Sequence, residues 1–241
     1  RAYVEQGKGN GKSPMAGAVG LYGLISDGEA GAQIYSAGAT KEQAAILFAD
    51  AVKMARKAPR LKRLKFSGGE GREFNIADLK TRSFFRPVSR ETRKTGSGPR
   101  PHFALCDEVH EHPDGGAIEI LERGFKFREQ PLLLMITNSG SDRQSVCWSE
   151  REHAVAVAAG EVDDDSTFAY VCALDEGDDP FADPSCWVKA NPLLNVTISD
   201  DYLAGVVKQA KDIPIKANGI RRLHFCQWTD AETAWIARDA W

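Results

Sequence analysis

The chain opens on a short apolar run, Ala2-Tyr3-Val4-Glu5, which gives way at once to the glycine-rich polar stretch Gln6-Gly7-Lys8-Gly9-Asn10-Gly11-Lys12-Ser13. From Ser13 to Ile25 small and apolar residues continue until Ser26-Asp27-Gly28 interrupts them, predicting a strand, a turn and a helix packed through small side chains. The rhythm then repeats. Gln33-Ile34-Tyr35-Ser36-Ala37 reads as a strand and Gly38-Ala39-Thr40 as a turn; Lys41 to Ala58 reads as a helix, with Thr40 as its cap and Gln43 at the capping-box position. Strands alternating with helices predict a parallel sheet.

Short strand candidates follow at Arg63 to Ser67, Glu73 to Ile76 and Phe84 to Pro87, separated by polar turns and ending in the loop Thr92 to Pro101. Two uninterrupted apolar runs come next, Phe103 to Cys106 and Leu132 to Ile136, with a helix expected between them at Gly116 to Arg123. Continuous rather than alternating hydrophobicity predicts strands covered on both faces, so the core sheet is largely complete by Ile136. Beyond Ser139 the pattern loosens. A helix at Ser149 to Ala159, an acidic turn at Asp163-Asp164-Asp165 and a strand at Phe168 to Leu174 precede a Pro/Asp-rich stretch, Asp175 to Asn195. Ser199 or Asp200 then caps an amphipathic helix running to Lys211, and the tail holds Trp228, Trp235 and Trp241.

Composition bounds these elements without naming a chemistry. With 241 residues, 42% hydrophobic and 27% charged, the chain is globular rather than disordered or fibrous, and long enough for one large domain or a domain with an appendage. The formal charge of −3 hides a strong asymmetry. Residues 51–100 carry 15 basic and 4 acidic groups, whereas residues 101–200 carry 6 and 20. The basic block is either a surface that faces a polyanion or a set of solvated helix faces. Five widely spaced cysteines with no CxxC pair argue against a disulfide framework or zinc ribbon and fit a reduced, cytoplasmic setting. The apolar stretch Met15 to Ile25 is too short and too glycine-rich to span a bilayer.

Three motifs carry candidate chemistry. Gly11-Lys12-Ser13 sits where a strand meets a helix. There, backbone N–H groups and the helix N-terminus offer positive charge to phosphate, lysine reaches the outer phosphates and a hydroxyl ligates Mg²⁺. The full P-loop pattern departs at its first position, where Gln6 stands in place of glycine, and Lys8 adds a second cation inside the loop. Phe103-Ala104-Leu105-Cys106-Asp107-Glu108 is an apolar strand ending in two carboxylates, suited to hold a cation through Asp107 and to activate water through Glu108. A third apolar strand ends in Thr137-Asn138-Ser139, whose polar groups either sense a γ-phosphate or cap the following turn. The order and spacing suit a P-loop ATPase with an additional strand between its two nucleotide motifs. His110-Glu111-His112 and the acidic turns lack metal-site spacing, and no Ser/His/Asp arrangement is present.

Together these residues resemble the large terminase subunit of tailed bacteriophages, the ATP-driven motor that packages viral DNA. Lys8-Gly9-Asn10-Gly11-Lys12-Ser13 is similar to that family's variant Walker A, and Leu105-Cys106-Asp107-Glu108 to its Walker B with catalytic glutamate. Tyr35 to Ala44 is similar to its second strand–helix segment, and Ile136-Thr137-Asn138-Ser139 to its coupling motif. Trp187-Val188-Lys189-Ala190-Asn191-Pro192 and Phe225-Cys226-Gln227-Trp228 resemble its signature after the core. Gln6 and Gly9 depart from the family pattern, which often has a second basic residue at the latter position.

The resemblance implies an α/β P-loop fold with a mostly parallel central sheet flanked by helices. Residues 1–160 would form the ATPase core and residues 161–241 a trailing lid or linker subdomain leading toward a nuclease domain absent from the chain. ATP and Mg²⁺ are the implied cofactors. Lys8, Gly9, Asn10, Gly11, Lys12, Ser13, Thr137 and Asn138 would contact nucleotide; Ser13 and Asp107 would hold the metal; and Lys12 and Glu108 would act in catalysis. Arg93 and Arg100 are candidates for an arginine finger supplied to a neighbouring subunit. Implied partners are double-stranded DNA, a homo-oligomeric ring, the portal protein and the small terminase subunit, in the host cytoplasm and on the procapsid. Two other readings stay open: a related P-loop translocase or helicase, and a nucleotide- or DNA-binding module that no longer hydrolyses ATP.

Overall fold

The computed structural model describes residues 1–88 and 98–230. In chain order its elements are β1 (Ala2–Glu5), α1 (Lys12–Ile25), β2 (Gln33–Ala37), α2 (Lys41–Lys57), β3 (Lys65–Ser67), β4 (Asn75–Asp78), β5 (Ser83–Val88), β6 (Phe103–Asp107), α3 (Gly116–Arg123) and β7 (Leu132–Thr137). There follow α4 (Val146–Ala158), β8 (Phe168–Val171), α5 (Trp187–Ala190), α6 (Asp200–Asp212) and α7 (Ala217–Phe225). The chain divides into two compact units, one of Arg1–Ala2 with Ser13–Ile136 and the other of Tyr3–Lys12 with Thr137–Trp241.

In the first unit six strands lie in the order β3-β4-β5-β2-β6-β7. β5, β2, β6 and β7 run parallel, with Ile34 opposite Phe103 and Asp107 opposite Ile136, while β3, β4 and β5 pair antiparallel at the edge. Every residue of β6 is buried, which is why its sequence runs apolar without alternation until the terminal Asp107. Helix α2 begins at the capping box read from the sequence: Gln43 N–H donates to Thr40 Oγ1, and Thr40 N–H to Gln43 Oε1. Its buried face, including Leu47, Phe48 and Val52, packs on β2, β5 and β6.

Helix α1 explains its own small residues. A methyl group on Gly20 would lie 2.6 Å from Phe85 and 2.8 Å from Leu105, and one on Gly23 would lie 2.5 Å from the Phe103 ring. Gly17 is close but less tight against α2, 3.2 Å from the backbone nitrogen of Ala51. Side chains at these positions would lift the helix from β5 and β6, so glycine is retained despite its low helix propensity.

In the second unit β1 neighbours β8, and Cys172 N–H donates to Glu5 carbonyl oxygen at 2.8 Å. Helix α4 starts at Val146, earlier than its apolar pattern suggests, because Ser145 Oγ caps the Trp148 N–H. Trp148 meets Trp228 edge-on, ring centroids 4.7 Å apart. Helices α5, α6 and α7 close a separate core around Trp187, Leu203, Val207, Ile220 and Phe225. Sequence periodicity predicts neither α5 nor α7. The first is a single turn inside the Pro/Asp-rich stretch, and Gly219 breaks the helical pattern of the second. Burial of Trp187, Ile220 and Phe225 overrides those weak local propensities. The five cysteines are free thiols, and among the described residues no helix is long and apolar enough to cross a membrane.

Replacing Gly20 or Gly23 by valine is expected to destabilise the chain by roughly 2–3 kcal/mol through overpacking, with the loss of unfolding free energy measured in urea. A valine at Gly219, where a methyl group would meet only open space, should cost under ~1 kcal/mol and serves as the comparison.

Candidate active site

The glycine-rich loop leaves β1 and is shaped by its own side chains. Gln6, buried at 6% exposure, donates through Nε2 to Asn10 carbonyl oxygen at 2.8 Å, so the residue that departs from the P-loop pattern ties the two ends of the loop together. Gly9 and Gly11 have φ of 91° and 75°, in the region open to glycine at little cost. Asn10 donates to Gly7 carbonyl oxygen at 2.9 Å and accepts at Oδ1 from the Leu193 N–H at 3.0 Å. Lys8 and Gly9 are exposed.

Lys12 is buried at the end of this loop. Its Nζ donates to Gln6 carbonyl oxygen at 2.6 Å, to Gly7 carbonyl oxygen at 3.3 Å and to Asn138 Oδ1 at 2.6 Å. Two expected site residues, distant in sequence, therefore meet: the loop lysine and the amide at the end of β7. Thr137 Oγ1 donates to Asn138 carbonyl oxygen at 2.8 Å and lies 3.7 Å from Cys147 Sγ. Burial, reinforced by the nearby Glu5, pushes the Cys147 thiol up to about 12. Glu5 is fully buried with its carboxyl raised by desolvation, against the opposing pull of Arg151, whose Nε lies 3.2 Å from Glu5 Oε2.

The first unit holds the other pair. Ser13 Oγ donates to Asp107 Oδ2 at 3.1 Å, joining the first turn of α1 to the C-terminal end of β6. Both are hard oxygen ligands of the kind that Mg²⁺ accepts beside water, and the first turn of α1 carries no acidic side chain to compete for an anion. Glu108 follows in the left-handed region, φ 48° and ψ 53°, with its N–H donating to Asp107 Oδ1 at 2.9 Å. A non-glycine residue held there stores local strain, and such residues concentrate at functional sites. His110 Nδ1 lies 3.4 Å from Glu108 Oε2, and His112 Nε2 lies 3.1 Å from Asp107 carbonyl oxygen. These histidines thus address the carboxylate turn. Among the described residues, no group of three or more His, Cys, Asp or Glu converges as a metal site.

Arg100 precedes β6, whereas Asp107 ends it, so the strand's length separates the two. Its guanidinium lies 4.8 Å from the Phe127 ring centroid, and its backbone N–H donates to Gln33 Oε1. Arg93 lies outside the described residues.

Sequence reasoning misses the role of His224 and Asn191. His224 is buried, and desolvation, then the charges of Lys8 and Lys12, depress its pKa to about 4. Asn191 lies within the recognised Trp187 to Pro192 segment, yet nothing in the spacing points it at the glycine loop, which its side chain contacts through Asn10 at 2.8 Å.

The family model described as "Terminase large subunit, ATPase domain" matches residues 1–155. The chain belongs to this family. The model "Terminase large subunit, endonuclease domain" matches residues 161–241 of this terminase chain, the segment expected to form a trailing subdomain. Protein YmfN of Escherichia coli K12 is 31% identical over 154 residues, covering 64% of the chain and 34% of YmfN. The large terminase subunit of Enterobacteria phage HK97 is 25% identical over 237 residues, covering 96% and 45%. The chain therefore spans about a third to a half of these curated relatives. A crystal structure of the HK97 large terminase superposes with a TM-score of 0.80 at 24% identity, covering 94% of this chain and 46% of that one, which establishes a shared fold.

Neutral His224 gives this terminase chain a pH signature. The unfolded chain takes up that proton near 6.5 and the folded chain only near 4, so acidification from 6.5 to 4 favours unfolding by about 3 kcal/mol, levelling off below 4. Glu5, whose carboxyl is raised, contributes with the opposite sign. Urea titrations across that range should therefore show a shallower pH dependence for His224→Gln than for the unsubstituted chain.

Proposed function

We propose that this chain is the ATP-hydrolysing part of a motor that moves double-stranded viral DNA into a procapsid, working within a homo-oligomeric ring beside the portal protein and the small terminase subunit. Membership of the terminase ATPase family supports this reading. The observation that carries it is the Ser13–Asp107 hydrogen bond at the junction of α1 and the end of β6, next to the strained Glu108.

In this reading Lys12 exchanges its contacts with Gln6 and Asn138 for phosphate oxygens, and Lys8 with the Gly9 to Ser13 amides supplies further positive charge. Ser13 and Asp107 hold Mg²⁺, which neutralises charge on the phosphate oxygens when bound. Glu108 orients water and accepts its proton. Asn138, released by Lys12, and Thr137 beside it register the presence of the terminal phosphate. Arg93 or Arg100 stabilises charge in a neighbouring subunit's site, and residues 51–100 face the DNA backbone.

Glu108→Gln is expected to retain Mg·ATP binding while lowering turnover by roughly 10²–10⁴-fold, the contribution of a general base. Lys12→Ala should weaken binding itself. Phosphate release and nucleotide titration, with and without double-stranded DNA, separate the two, and wild-type turnover by Glu108→Gln would refute the assignment. DNA affinity should fall linearly with log salt, by a slope of about 0.9 per phosphate neutralised, and that slope should shrink when arginines in residues 51–100 are removed.

A further inference from the structure

The glycine loop is held on one side by the segment that follows the core. Gly7 N–H donates to Ala190 carbonyl oxygen at 2.8 Å and Lys8 N–H to Leu223 carbonyl oxygen at 2.7 Å. Thr197 Oγ1 donates to Gly9 carbonyl oxygen at 2.8 Å. At the centre of these contacts is Asn191, fully buried where α5 ends. Its Nδ2 donates to Trp187 carbonyl oxygen at 3.0 Å and to His224 carbonyl oxygen at 2.9 Å, while its Oδ1 accepts from Asn10 Nδ2 at 2.8 Å. One amide thereby joins α5, α7 and the loop. An aspartate would oppose a carboxylate to two carbonyl oxygens, and an aliphatic side chain would remove one hydrogen-bond partner from each of three polar groups. The fit also explains Gly7, where a methyl group would stand 2.5 Å from Asn191 Oδ1 and 2.6 Å from His224 carbonyl oxygen.

Two consequences follow for phosphate binding. The amides of Gly7 and Lys8 are already engaged by the trailing segment, so phosphate contacts fall to the amides from Gly9 onward. The loop also contains two glycines at positive φ, whose wide conformational freedom costs entropy to fix, a cost that contacts from outside the loop offset. We propose that Asn191 is a positioning residue for the nucleotide. It holds the loop in its phosphate-receiving conformation through Asn10, and it makes the segment from Trp187 to Cys226 respond to nucleotide occupancy. This rests on the nucleotide reading above.

The test uses the 241-residue chain with Mg·ATP as the probe. Asn10→Ala and Asn191→Ala should each lower affinity by about tenfold, the equivalent of ~1.4 kcal/mol for a lost buried hydrogen-bond partner, and the double variant should be no weaker than the weaker single. Nucleotide should slow hydrogen exchange at 187–193 and 217–226 in the unsubstituted chain but not in Asn191→Ala. Unchanged affinity in folded Asn191→Ala, or additive losses in the double variant, would overturn the proposal. Should Asn191→Ala fail to fold, Thr197→Val decides: Thr197 is exposed, and its loss should weaken binding two- to threefold or the clamp is refuted. Failure of the nucleotide reading itself is distinct, showing as Lys12→Ala binding Mg·ATP like the unsubstituted chain. The nucleotide-free comparison still tests the clamp in that case, because Asn191→Ala must speed exchange of the Gly7 and Lys8 amides, and unchanged exchange rejects it.

Discussion

Lys12 carries its ammonium into a buried position, where a cation is tolerated only if oxygen atoms surround it. Gln6, Gly7 and Asn138 supply them, and in doing so bind the exit of β1, the glycine loop and the end of β7 to one charge. The two strand ends must stop within reach of the same nitrogen, and the loop between them must turn its carbonyls of residues 6 and 7 inward. The rest of the loop's design follows, from the Gln6 side chain that closes it to the glycines at positive φ that let it turn.

A second constraint acts in the first unit. The residues of β6 are apolar and buried up to Cys106, so polar chemistry is confined to the strand's C-terminal end. There Asp107 meets Ser13, and the distance between them is governed by how closely α1 settles on the sheet. Gly20 and Gly23 allow that close approach, because Phe85, Leu105 and Phe103 occupy the space a side chain would need. Core packing and the placement of a candidate metal ligand are thus one problem. The strain at Glu108 is localised one residue beyond, where Asp107 Oδ1 and the neighbouring histidines support the turn.

Much of this was legible in the chain. Periodicity located β2, α2, β6, α3 and β7 to within a residue or so, because each has a strong local signal: a capping box for α2, and unbroken hydrophobicity for the two buried strands. Glycine, lysine, serine and paired carboxylates at strand ends marked the candidate site, since few other residue types can do that chemistry. Less was legible after Ser139. Helices α5 and α7 have poor local propensity and exist through burial of Trp187, Ile220 and Phe225, which no short window contains.

The amino-acid sequence by itself determined the order of strands and helices as far as β8, the apolar core positions there and the identity of the reactive groups, because these depend on local periodicity and on side-chain chemistry. Tertiary structure decided which of those groups meet. The bond from Lys12 to Asn138 and the one from Asn10 to Asn191 join residues far apart in the chain. Hydrogen bonds of this kind are set by the packing of whole elements, and the same packing turned Gln6 from an apparent defect in a motif into the tie that closes the loop.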